Sequence, residues 1–131
     1  MRKWSKSSAS ILANAHPDLQ RAFTKALQDT PLDLKVLEST RTVARQKYLV
    51  RTGKSKTMNS RHIPSADGKS RAIDIVPLRN GQISWDWKDF HAIAPAIKKA
   101  FSDLNIPIEW GGDWKSFPDG PHWQLPWSVY P

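Results

Sequence analysis

His62, Asp74 and His122 constrain this chain more than any other residues, because a short polypeptide must bring three distant positions together if they are to share one ion. Two neutral imidazoles and one carboxylate can hold a Zn²⁺ ion and leave a coordination position open for water, the arrangement that hydrolytic zinc sites need. The sequence has 4 histidines and no cysteine, which excludes thiolate sites and a disulfide framework and restricts metal ligands to His, Asp and Glu. Asp119 stands shortly before the last histidine, in Asp119-Gly120-Pro121-His122, close enough in sequence to serve a bound water as a base. The set predicts a metal-assisted hydrolase.

The flanking patterns say how such a set is presented. In Ala72-Ile73-Asp74-Ile75-Val76 the period of two sends Ile73 and Ile75 to one face and Asp74 to the other. From His122 to Leu125 the same rule puts His122 and Gln124 on one face and Trp123 and Leu125 on the other. Residues 54–71 are polar and carry Pro64 and Gly68, so His62 belongs to a loop.

Around these strands, Leu19, Ala22, Phe23, Ala26 and Leu27 follow helical spacing from Pro17, and Pro31 closes the segment. Leu32, Leu34 and Val36 alternate as a strand, and a second helix is predicted from about Val43 to Val50, before Gly53. A third starts near Ser84 or Asp86 and is expected to bury Trp87, Phe90, Ala94, Ile97, Phe101 and Leu104, with a kink or break at Pro95. Ile106 to Trp110 reads as another strand, and residues 5–10 as a loosely held lead-in. There is no internal repeat, and the mixture predicts an α+β fold with a small, mainly antiparallel sheet and flanking helices.

A length of 131 residues fits a single domain, 1–131. With 20 Lys plus Arg against 12 Asp plus Glu, the net charge of +8 draws the chain to polyanions such as nucleic acid, anionic lipid or a bacterial envelope. No apolar run approaches the roughly 20 residues of a membrane-spanning helix, and Ile11-Leu12-Ala13-Asn14-Ala15 is too short for a secretory core. The expectation is a chain made in the cytosol and released by something else.

Arg41-Thr42 with Gln46, Ser60-Arg61-His62, Ala72-Ile73-Asp74, Trp110-Gly111-Gly112-Asp113-Trp114 and Asp119-Gly120-Pro121-His122 occur in an order that resembles the phage L-alanyl-D-glutamate endopeptidases and their D-alanyl-D-alanine carboxypeptidase relatives, of the hedgehog/DD-peptidase fold. The resemblance runs from His16-Pro17-Asp18-Leu19 to the last strand. It implies Zn²⁺ on His62, Asp74 and His122, with Asp119 as the catalytic acid/base. The stretch Pro64 to Lys69 departs from the family's His-x-x-Gly-x-Ala-x-Asp pattern as an insertion, expected to border the metal and reshape substrate access. Asp67 within it is a competing ligand, but Asp74 keeps the Ala-x-Asp context. Arg41 is expected to stabilise an oxyanion or hold a substrate carboxylate, and Gln46 to orient Arg41 or the peptide.

The resemblance implies a zinc metallopeptidase that cuts the stem peptide of bacterial peptidoglycan as an endolysin, acting in the periplasm after a partner permeabilises the inner membrane, without stable membrane insertion and as a monomer. D-alanyl-D-alanine carboxypeptidase activity uses the same site and is the nearest alternative. Seven tryptophans on a basic chain also suit a single-strand nucleic-acid binder with aromatic platforms, but RNP, KH and zinc-finger signatures are absent, so no nucleic-acid partner is expected. A zinc-stabilised module without turnover is a third reading, opposed by an intact Asp119. His16 and His91 read as ordinary structural histidines, Asp113, the rival to Asp119, as a turn residue or one that supports the site from behind, and a simple Arg41–Glu38 ion pair is the plain alternative for Arg41.

Overall fold

The computed structural model describes residues 1–55 and 57–131. Its centre is a strand whose alternation divides core from site: β2 (Ala72–Arg79) buries Ile73 and Ile75 completely, while Asp74 is only partly covered. Antiparallel pairing joins it to β1 (Asp33–Glu38) on one side and to β5 (His122–Gln124) on the other, with β4 (Glu109–Trp110) beyond β5. The predicted antiparallel sheet is therefore present, in the order β1-β2-β5-β4. Register places Asp74 directly opposite His122 on one side and Glu38 on the other, and directly opposed residues of antiparallel strands project from the same face.

One small strand was not foreseen from the sequence. Asn80 and Gly81 both take positive φ, 54° and 78°, the conformation of a two-residue hairpin turn, and β3 (Gln82–Ile83) folds back on the end of β2. The first helix is a correction. Residues expected to form a loose lead-in instead make α1 (Lys6–Leu12), because the Ser5 hydroxyl accepts from the Ser8 amide as an N-cap. The helix is pinned to the sheet by the buried Ser8 hydroxyl, which accepts from the Val36 amide at 3.0 Å.

Two helices cover the apolar side. In α2 (Pro17–Leu27) the predicted set Leu19, Ala22, Phe23, Ala26 and Leu27 is fully buried, and His16 caps the helix through Nδ1, which accepts from the Asp18 amide. In α4 (Trp87–Asp103) the buried stripe includes Phe90, Ile93, Ala94, Ile97 and Phe101. Phe23 meets Phe101 edge to face at 5.0 Å and Trp123 at 6.1 Å, joining both helices to β5. Trp87 does not join the core as expected. It is 43% exposed at the start of α4, where the stripe has not yet reached the sheet. Nor does Pro95 break the helix: α4 runs on through it to Asp103, with Pro95 on the exposed face.

The remaining helix, α3 (Val43–Arg51), begins at Thr42, whose hydroxyl accepts from the Arg45 amide. The predicted strand from Ile106 is confined to Glu109–Trp110, followed by one 3-10 turn at Gly111–Asp113.

Candidate metal centre

Three neighbouring strands and one loop build the site. Cross-strand register sets Asp74 beside His122, and the loop carrying His62 is tied to the end of β1, where the Arg41 amide donates to the His62 carbonyl at 2.7 Å. His62, Asp74 and His122 each offer a ligand atom within 4.8 Å of the others. His62 Nε2 is 3.1 Å and His122 Nδ1 is 3.6 Å from the same Asp74 Oδ1.

Both rings are oriented from behind. His62 Nδ1 donates to the Ser39 carbonyl at 2.7 Å, which turns Nε2 towards Asp74. His122 Nε2 donates to Gln124 Oε1 at 2.8 Å, and the Gln124 amide donates in turn to Glu109 at 3.1 Å, which leaves His122 Nδ1 for the centre. Such fixed tautomers are the usual support of metal-binding histidines. Ser39, Gln124 and Glu109 were missed as supporting residues in the sequence. The alternation that placed Gln124 beside His122 was the available signal for one of them, whereas a backbone carbonyl such as that of Ser39 leaves none.

Electrostatics agree with a cation site. Burial works against the Asp74 carboxylate, yet the two imidazoles hold its pKa well below the ordinary range. Burial likewise disfavours charge on His122, but the contacts with Asp74 and Gln124 outweigh it and raise its pKa. Among the described residues this is the one His/Asp/Glu group close enough to share an ion. Two imidazoles, each with one ring nitrogen facing inward, and a carboxylate still 20% exposed fit a divalent cation with an open position.

Asp119 and Arg41 line the same cavity of about 480 Å³. Asp119 is half-buried, and burial together with the nearby Asp74 charge pushes its carboxyl pKa up. Its loop is packed from both sides. A Cβ at Gly111 would lie 2.5 Å from the Asp119 carbonyl, and one at Gly120 would lie 2.9 Å from the Phe90 ring. Arg41 donates through Nε to Glu38 at 2.6 Å and through Nη1 to Gln46 at 2.8 Å. Gln46 is fully enclosed behind it, donating to Ser55 and the Thr57 carbonyl, and so touches the arginine rather than the cavity. Trp114, not singled out beforehand, packs its ring 5.1 Å from His122 at the rim.

Two expectations about neighbouring acids are settled by geometry. Asp67 is exposed and paired with Arg71 at 2.9 Å, away from the three ligands. The insertion around it does not line the cavity either. It turns back through Ser65 and Lys69, and Lys69 Nζ reaches the Ala13 carbonyl between α1 and α2. The expected effect on access is not seen, because these anchors hold the loop against the α1–α2 connection rather than in the cavity lining. Asp113 pairs with Lys98 at 2.7 Å, outside the cavity.

Comparison with known proteins agrees with this architecture. The structure of the Serratia marcescens L-Ala D-Glu endopeptidase ChiX matches with a TM-score of 0.88 at 38% identity, covering 98% of this chain and 92% of that one. The L-alanyl-D-glutamate peptidase of Escherichia phage T5 is 33% identical over 121 residues, 89% of this chain and 85% of the phage protein. The peptidoglycan L-alanyl-D-glutamate endopeptidase CwlK of Bacillus subtilis is 26% identical over 126 residues, 88% of this chain and 75% of that protein. Fold and site together define a peptidase. More narrowly, the chain belongs to the phage L-alanyl-D-glutamate peptidase family, whose sequence model matches residues 1–123.

Proposed function

We propose that this chain is a zinc-dependent endopeptidase that hydrolyses the L-alanyl-D-glutamate bond of the peptidoglycan stem peptide. The observation that carries the reading is the convergence of His62, Asp74 and His122, with both imidazoles oriented from behind and Asp119 on the same cavity. In this reading those three residues hold Zn²⁺, which when bound supplies a Lewis acid for the scissile carbonyl and for the attacking water.

The chain's own groups do the rest. The raised pKa of Asp119 brings its carboxylate closer to the working range of a general base, so it can take a proton from the water oxygen and return it to the departing amine nitrogen of glutamate. Arg41 is held by Glu38 and Gln46 at two of its three nitrogens, which fixes the guanidinium plane. A permanent cation so held stabilises negative charge on the carbonyl oxygen, or binds a substrate carboxylate, without first having to be ordered. Gln46 acts through Arg41 as a positioning residue.

Residues 1–131 work in this reading as one peptidase domain acting as a monomer. The biological role is lysis from within: the chain is made in the host cytoplasm and reaches the wall once a separate partner permeabilises the inner membrane. Among the described residues no helix is long and apolar enough to cross a membrane.

Mass spectrometry of muropeptides after digestion tests the bond choice. The expected product carries a new glutamate N-terminus. Release of terminal D-alanine alone would instead establish a carboxypeptidase.

A further inference from the structure

Two cations on the α3 side of the cavity have no part in the chemistry just described. Arg45, on the first turn of α3, and Lys54, just past its end, line the same cavity as His62, Asp74 and Asp119. The other cations there are already committed. Arg41 serves Glu38 and Gln46, while Arg61 is buried, donates to the carbonyls of Leu125 and Tyr130, and stacks 3.9 Å from the Trp127 ring centre. Among the described residues neither Arg45 nor Lys54 has a carboxylate partner, and Arg45 simply rests 5.1 Å from the Tyr48 ring centre. Of the acids on the cavity, Glu38 is paired with Arg41, Asp74 lies between two histidines, and the charged groups acting on Asp119 are Asp74, the two histidines and Arg41.

The wall that mounts these cations is fixed. Thr42 caps the start of α3 beneath Arg45. At the other end Gly53 takes φ of 78°, and the Lys54 amide donates back to the Leu49 carbonyl at 2.9 Å, which sets Lys54 against the last turn. Gln46, through Ser55 and Thr57, ties the following segment to the helix. Leu49 also lines this wall, giving apolar surface beside the two charges.

We propose that Arg45 and Lys54 form a carboxylate-recognition subsite for the free carboxyl group of the substrate's glutamate. This rests on the endopeptidase reading above. A glutamyl residue has two carboxyl groups, and a peptide that continues through one of them leaves the other as an anion at neutral pH. A guanidinium and an ammonium on a fixed wall bind that anion, and Leu49 receives the methylenes between it and the backbone. The subsite therefore separates glutamate from its amidated form, which has the same shape but no charge.

The test uses two synthetic stem peptides that differ only in whether the free carboxyl of D-glutamate is an acid or a primary amide. Values of kcat/KM are compared for the wild type, Arg45→Gln, Lys54→Gln, the double variant, and the charge-keeping pair Arg45→Lys and Lys54→Arg, with circular dichroism to verify folding. The wild type is expected to prefer the acid by about 10-fold, the gain of one or two charge-assisted hydrogen bonds. The double variant should bring the ratio close to one, and the charge-keeping variants should retain most of it. A wild type that cleaves both peptides equally, or a double variant that keeps the full preference, overturns the subsite alone. A wild type that cleaves neither peptide overturns the endopeptidase reading and the subsite with it.

Discussion

Asp74 accepts contacts from two imidazoles through a single oxygen, and each imidazole is held by a different supporting group, so the residues of this site divide by what their removal should do. If the proposed zinc site is right, His122→Ala deletes a ligand and should lower zinc content and activity together, measured by atomic absorption and muropeptide release. Asp119→Ala should keep zinc content close to wild type while turnover falls by roughly 10²–10⁴-fold, the usual size of a lost general base. Zinc loss in that variant would make Asp119 a ligand instead. Arg41→Lys keeps the charge but cannot reproduce the planar contacts with both Glu38 and Gln46, and turnover should drop by about 10-fold. Side chains of this kind were legible in the sequence because His, Asp and Arg advertise their chemistry by residue type. The groups that orient them were less so: Ser39 contributes only its carbonyl, and Glu109 reaches His122 through Gln124.

At the scale of elements, legibility followed periodicity. The long stripes of α2 and α4 and the alternation of β1 and β2 were readable because many residues vote for one face, whereas α1 depends on one serine cap and one buried serine hydroxyl. Helix α4 offers the clearest test of an element's own electrostatics. Asp89 lies in its first turn, where the Arg79 guanidinium and then the Ser84 hydroxyl lower its carboxyl pKa to about 2. Because the folded value lies below the ordinary one near about 4, this stabilisation is complete above that ordinary value and is lost as pH falls from about 4 to about 2. Asp89→Asn should therefore lower the thermal midpoint at neutral pH and show a smaller loss than wild type on acidification across that window. A second local test concerns the tight packing under the loop that carries Asp119. Gly111→Ala puts a methyl group 2.5 Å from the Asp119 carbonyl, and backbone must move to admit it. Activity should fall more than stability, read by turnover against thermal melts.

For the molecule as a whole, the candidate ligands come from a loop, the central strand and a late strand, so an ion held by them would join segments that the unfolded chain keeps apart. Chelation should lower the melting temperature as well as abolish activity, and added zinc should restore both, since an ion bound only by the folded state stabilises it by mass action. Equal melting curves with and without chelator would separate the site from the stability of the fold. The expectation that the insertion at 64–69 borders the metal was not met for a reason that sequence spacing does not reveal: the direction of an inserted loop is set by its anchors, here the Ala13 and Asn14 carbonyls between α1 and α2.

That same excursion has a practical meaning. Gly68 at its tip has open space where a side chain would stand, and the return through Ser70 is fixed by a bridge to Ala15 before β2 begins. Extra chain introduced between Asp67 and Gly68 would leave the Asp74–His122 register untouched, because the anchors on both sides absorb the change in length. The turn is thus a natural splice point, where an affinity tag or a wall-targeting module could be carried outside the cavity lining.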